Sequence, residues 1–183
     1  MSFQHIAFAT EGGVARITLN RPESANAIDV DMANELLQAA TRCETDPAIR
    51  AVVLTGKGRF FSGGGNVQSF VAAGDEVAGL LNRIVGPLHA AVSAFARMSA
   101  PLITAINGTA AGAGFSLAIS GDVVLAAESS KLTLAYTRIG MSADGGASFH
   151  LPRIVGLTRA KELMLLNPVL SATEAKNSGL VTL

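Results

Sequence analysis

Between Arg97 and Asp122 no residue carries a charge. A stretch of that length can span a bilayer, so it is either a membrane helix or part of a buried core. Its composition decides between them. Pro101, Asn107, Gly108, Gly112 and Gly114 interrupt it, with serine and threonine scattered through. It therefore reads as a buried strand, a tight turn and a buried helix of small residues, and no membrane association is expected. Charge is thin along the whole chain: 15% of its 183 residues are charged, against roughly 25% in an average soluble domain. With 49% apolar residues the chain is no disordered polymer, and it has too few Glu, Lys and Arg for a coiled coil. The 14 basic and 14 acidic residues cancel, which leaves no basic field for a nucleic acid backbone. So apolar a chain is expected to bury surface against copies of itself, as a homo-oligomer.

The length fits one domain over 1–183. Cys43 is the sole cysteine, so no internal disulfide forms. A reducing compartment, the cytoplasm, is expected. The opening residues, Met-Ser-Phe-Gln-His, lack a basic region followed by an apolar run, so no signal peptide is read.

Strand and helix signals alternate. His5–Thr10 and Val14–Leu19 flank Glu11-Gly12-Gly13, a hairpin. Asp29 is placed to cap a helix running to about Glu44, with Met32, Leu36, Ala39, Ala40 and Cys43 at helical spacing. Ala51–Thr55 is a buried strand, and Gly56–Gly65 a glycine-rich loop. A short helix starts at Asn66, and Glu76–Met98 is a long helix with Leu80, Ile84, Leu88, Val92 and Phe95 on one face. Strands follow at Leu102–Ile106, Val123–Ala126 and Leu132–Leu134, with the small-residue helix Gly112–Ser120 between the first two. Gly145–Leu151, Thr158–Asn167 and Thr173–Asn177 are helical, the last capped by Gly179, and Val181 begins a strand. This order predicts an α/β fold with crossover connections.

Two glycine-rich loops follow strands: Arg59 to Asn66, containing Ser62-Gly63-Gly64-Gly65, and Asn107 to Gly114. Glycine there serves tight turns, or lets the backbone approach a ligand and present its amides. Two such loops meeting would form an oxyanion hole. Neither loop fits a nucleotide motif: Gly56-Lys57-Gly58 lacks the residues of a P-loop, and Gly112-x-Gly114 lacks the third glycine of a dinucleotide turn. Ser116 lies inside a helix rather than at a nucleophile elbow. His5, His89 and His150 form no metal-ligand spacing, and His89 sits mid-helix. Asp144, before Gly145-Gly146, is open to two readings: a helix cap or a general base.

The order of motifs resembles the crotonase (enoyl-CoA hydratase/isomerase) family. Asn20-Arg21-Pro22, Asn26-Ala27-Ile28-Asp29 and Ala51 to Gly56 match its opening. Phe61 to Asn66 matches its first oxyanion loop, and Pro101 to Gly114 its second. Gly121-Asp122, Gly140-Met141, Asp144 to Gly156 and Ser171 to Val181 continue the match over essentially the whole chain. The resemblance implies a spiral of repeated ββα units, assembled as trimers or paired trimers, and an acyl-CoA substrate. No resident cofactor is implied; coenzyme A is the substrate's carrier. By the same resemblance the amides of Gly65 and Ala113 hold the thioester oxygen. Ser24, Ala25, Ala27, Gly63, Gly64, Asn66 and Val67, with Ala111 and Gly114 of the second loop, border the coenzyme A moiety.

Hydratases of the family use two glutamates, and Ser116 and Tyr136 stand at those positions here. Asp144 falls where isomerase branches, including those acting on phenylacetyl-CoA derivatives, place a single acid/base. The resemblance thus favours Asp144 as the catalytic group of an isomerase, at a pocket mouth with Met141 and Phe149. A hydratase-like enzyme, a thioester hydrolase and a non-catalytic coenzyme A binder are the alternatives. Family members continue past the position of Leu183 as C-terminal helices, a part expected to be missing here.

Overall fold

The computed structural model describes residues 3–183. Strands β1 (Ile6–Glu11) and β2 (Val14–Leu19) form the expected antiparallel hairpin, with Ile6 opposite Leu19. After it the pairing turns parallel. Strands β3 (Ala51–Gly56), β5 (Leu102–Ile106) and β7 (Val123–Ala126) complete a five-stranded sheet of order β1-β2-β3-β5-β7. Parallel neighbours need crossovers. Helix α1 (Val30–Thr45) supplies the first, and α2 (Val67–Ala73) with α3 (Val77–Arg97) the second. The short α4 (Ala113–Ala118) supplies the third.

A second sheet joins β4 (Phe60–Ser62), β6 (Thr109–Ala111), β8 (Lys131–Thr133) and β9 (Leu170–Ser171), in that order. Its first three strands are parallel, and β9 is antiparallel to β8. The pairs β3/β4, β5/β6 and β7/β8 each give one strand to each sheet before the chain turns helical. This is the repeated ββα spiral. Strands of three residues carry no legible alternation, so β4 and β6 lie inside segments that read as loops from sequence. The chain then forms α5 (Ala147–Val155), α6 (Leu157–Leu166) and α7 (Ala172–Asn177). Val181–Leu183, read as the start of a strand, forms no regular strand here, although the Thr182 N–H donates to the Val124 carbonyl at 2.7 Å and the Ala126 N–H to the Leu183 carbonyl at 2.9 Å.

The long helices form for the reasons the sequence offers. Asp29 caps α1, its Oδ1 accepting from the Met32 N–H at 2.9 Å. The Arg21 guanidinium pairs with its other oxygen. The buried face of α1, from Met32 to Cys43, packs with α3, whose buried face includes Ile84, Leu88, Val92 and Phe95. The charge-free stretch occupies the centre. Leu102, Thr104 and Ile106 of β5 are buried, and so is every residue of α4. A helix enclosed on all sides has no place for a charge. Thr104, also buried, satisfies its hydroxyl by donating to the Ala118 carbonyl at 2.6 Å. Among the described residues no helix is long and apolar enough to cross a membrane.

Candidate active site

Strands β4 and β6 are parallel neighbours, so the loops leaving their C-terminal ends emerge side by side. Gly64 lets them touch. Its φ is +90°, and a Cβ there would lie 2.6 Å from the Ala111 carbonyl oxygen and 3.1 Å from the Ala113 nitrogen. The first loop is stitched in place. Its Gly63 N–H donates to the Ala25 carbonyl at 2.8 Å, and the Gly64 carbonyl accepts from the Ile28 N–H at 2.7 Å. Ser62 Oγ accepts from the Gly64 N–H at 3.1 Å and donates to the Asn26 carbonyl at 2.9 Å.

The N–H groups of Gly65 and Ala113 donate to no protein acceptor among the described residues. Both residues line one cavity of about 230 Å³. Partly buried amides seldom go unpaired, and two on one cavity wall are free donors for a ligand oxygen. The rest of the wall is largely apolar: Ile28, Phe70 of α2, Leu81, Ile84, Val85 and Leu88 of α3, then Ile139 and Met141.

Asp144 is the only carboxylate lining the cavity among the described residues. It is not the cap of α5. Gly146 takes that position, with φ +87° and no side-chain bond, while the Asp144 backbone carbonyl accepts from the Ala147 N–H at 3.0 Å. Its side chain turns to the cavity instead. Oδ1 accepts from the Tyr136 hydroxyl at 2.7 Å, and that hydroxyl lies 2.9 Å from Ser116 Oγ. A phenol has one proton to give. Since Tyr136 gives it to Asp144, Ser116 donates to Tyr136. Burial first, and the Asp144 charge next, push the Tyr136 hydroxyl far above the ordinary tyrosine range, so it stays a neutral donor. His89 of α3 completes the surround: its Nε2 accepts from the Gly145 N–H at 3.0 Å and lies 3.8 Å from Asp144 Oδ2.

Of the residues singled out from sequence, Gly63, Gly65, Val67, Gly112, Ala113, Tyr136 and Asp144 line this cavity, and Met141 with them. The others lie outside its wall. Ala25 and Gly64 hold loops together. Ser24 Oγ donates to the Arg21 carbonyl, and Asn66 caps α2. Ala27 is half-buried beside Asn26. Ala111 presents its carbonyl to Gly64, and Gly114 packs on Ser62, 2.3 Å from whose carbonyl oxygen a Cβ would sit. Phe149 departs from expectation. It is 55% exposed beneath the Arg153 guanidinium. The buried residues of α5 are Ala147 and Leu151, and a residue midway between them points roughly the opposite way round the helix. Sequence reasoning missed His89 as a site residue and the contact between Ser116 and Tyr136. Only the resemblance signalled the latter two positions.

Comparison with known proteins fits this geometry. The enoyl-CoA hydratase/isomerase profile matches residues 9–183, and the chain belongs to that family. It is 37% identical over 175 residues to the 1,2-epoxyphenylacetyl-CoA isomerase of Escherichia coli K12, covering 93% of this chain and 66% of that protein. It is 35% identical over 181 residues to the 4-chlorobenzoyl coenzyme A dehalogenase-2 of an Arthrobacter species, covering 98% of this chain and 66% of that protein. The crystal structure of an enoyl-CoA hydratase from Mycobacterium avium subsp. paratuberculosis K-10 superposes with a TM-score of 0.90 at 34% identity, covering 99% of this chain and 71% of that one. The chain thus spans about two thirds of the length of these relatives.

Proposed function

We propose that the protein is an acyl-CoA enzyme that moves a carbon–carbon double bond, an enoyl-CoA isomerase with Asp144 as its acid/base. The observation that carries this reading is one carboxylate, Asp144, in an apolar cavity that it shares with the two unpaired amides of Gly65 and Ala113. The thioester oxygen accepts from both amides, which stabilises the enolate formed when the C2 proton leaves. Tyr136 occupies Asp144 Oδ1, so Oδ2 is the oxygen that takes the proton and returns it at C4. Ser116 and Tyr136 offer no carboxylate for activating water, which favours migration over hydration. The apolar wall suits the acyl group, and the segment Ser24 to Ala27 with the first loop borders the coenzyme A moiety.

Assembly as a trimer or paired trimers, in the cytoplasm, belongs to the same proposal. Leu157, Leu165, Leu166 and Val169 are more than half exposed on the surface around α6, which supports burial against another copy. The test of the reaction is turnover of a 3-enoyl-CoA against hydration of a 2-enoyl-CoA. Asp144→Asn keeps the shape and removes the base. Isomerisation should fall ~10²-fold or more with acyl-CoA binding kept. A near-normal rate in that variant overturns the assignment.

A further inference from the structure

The two oxygens of Asp144 face different surroundings. Oδ1 faces a closed chain: Tyr136, 6% exposed, then Ser116, fully buried. Tyr136 donates its only proton to Asp144, and Ser116 donates to Tyr136, so neither group on this side can receive a proton. Oδ2 faces His89 Nε2 at 3.8 Å, on a side chain 48% exposed. Nε2 accepts the Gly145 N–H, so it carries a lone pair, and the ring proton sits on Nδ1. In this state the His89–Asp144 contact joins an acceptor to an acceptor and is not an ion pair. It becomes productive when Oδ2 gains a proton.

We infer that His89 is a proton relay between Asp144 and solvent, letting the proton taken from the acyl group exchange with water. This rests on the reading of Asp144 as the base. The Oδ2–H bond breaks as an Nε2–H bond forms, the Gly145 N–H being released to water. Asp144 returns to the carboxylate and His89 becomes imidazolium; the half-exposed ring then gives its Nε2 proton to water and keeps Nδ1–H, which restores the starting tautomer, and the reverse path brings a solvent proton to Oδ2. Imidazole exchanges protons readily near neutral pH. Direct return of the proton from Asp144 to carbon competes with this exit. His89 therefore sets how much solvent hydrogen enters the product.

The experiment runs the full chain in D₂O with a 3-enoyl-CoA. Deuterium is read by mass spectrometry in product and recovered substrate, alongside turnover. The wild type should incorporate deuterium. His89→Gln offers an amide oxygen to the Gly145 N–H but cannot relay, so deuterium per product should fall at least ~5-fold. In His89→Ala, added imidazole should restore it, which a merely structural role for His89 does not predict. Isomerisation by the wild type without deuterium incorporation overturns the relay and leaves the isomerase reading standing, as does equal incorporation in His89→Gln. Exchange at C2 of the substrate without isomerisation, lost in His89→Gln, supports the relay and overturns the isomerase reading. Neither exchange nor isomerisation overturns both.

Discussion

Gly64→Ala tests the abutment of the two loops. A residue with a side chain in left-handed backbone costs ~1–2 kcal/mol, and Gly64 has φ +90°. The added Cβ would meet the Ala111 carbonyl oxygen at 2.6 Å, where ordinary contact starts at 3.4 Å, so the loops must part by about 0.8 Å. The obstruction is backbone and cannot rotate away. Ala113 moves with Ala111, and its amide leaves the position it shares with Gly65. Losing one oxyanion donor costs ~10²–10³ in kcat, and a displacement near 1 Å can cost ~10². We expect a stability loss of ~2–4 kcal/mol in urea unfolding and a fall in kcat of ~10² with 3-enoyl-CoA. Gly63→Ala is the control. Its φ is outside the left-handed region, and its Cβ would meet the Ala25 Cβ at 3.3 Å and the Ala25 carbonyl oxygen at an ordinary 3.5 Å, so stability should change by less than ~1 kcal/mol. A Gly64→Ala protein with wild-type kcat and stability would refute the argument that these loops must touch.

Ala113→Pro removes one free amide at the first residue of α4, where a helix tolerates proline. Turnover should drop ~10²-fold while the far-ultraviolet circular dichroism is kept. Tyr136→Phe strips Asp144 and Ser116 of their shared partner; thermal unfolding should report ~1–3 kcal/mol of lost stability. Cys43, buried in α1, has its thiol pushed up from 9.0 to about 11, by burial first. Unfolded chains ionise at lower pH than the folded one, so stability should fall as pH rises from 9 to about 11, by ~2–3 kcal/mol at most. Cys43→Ala should flatten that fall in urea titrations. Glu174 is held below its usual range by the Ser171 backbone N–H and hydroxyl of the α7 capping box. Its contribution is present above the ordinary glutamate range and lost as pH falls through the lowered value. Glu174→Gln should remove that acid dependence.

Much of this molecule can be read from its residues where the signal is periodic or local. The stripes of α1 and α3, the Asp29 cap and the buried charge-free stretch all depend on spacing within one element. Both glycine loops and Asp144 are legible as candidates, and the family resemblance carried by the motif order gives each an expected role. Contacts between distant segments are less visible. His89 meets Gly145 across 56 residues of chain, and nothing at mid-helix marks it as different from a solvated histidine. Tyr136 stands on a short 3₁₀ turn, Tyr136–Ile139, entered through Ala135 at φ +58°. Alanine gives no warning of left-handed backbone, so no local pattern points Tyr136 at Asp144.

The placement of the two free amides follows from repetition. The first loop leaves β4 and the second leaves β6, the equivalent strands of successive ββα units, paired in parallel. Neighbouring strands lie ~4.8 Å apart. Two donors separated by that distance, each ~2.9 Å from a shared oxygen, subtend about 112° at it. That is close to the angle between the lone pairs of a carbonyl oxygen. In such a solenoid a bifurcated acceptor site needs only that the loops keep the spacing of the parallel strands they leave, which is the pitch of a carbonyl's two hydrogen bonds. Each unit can then vary in its side chains while backbone pairing alone keeps the two loops side by side.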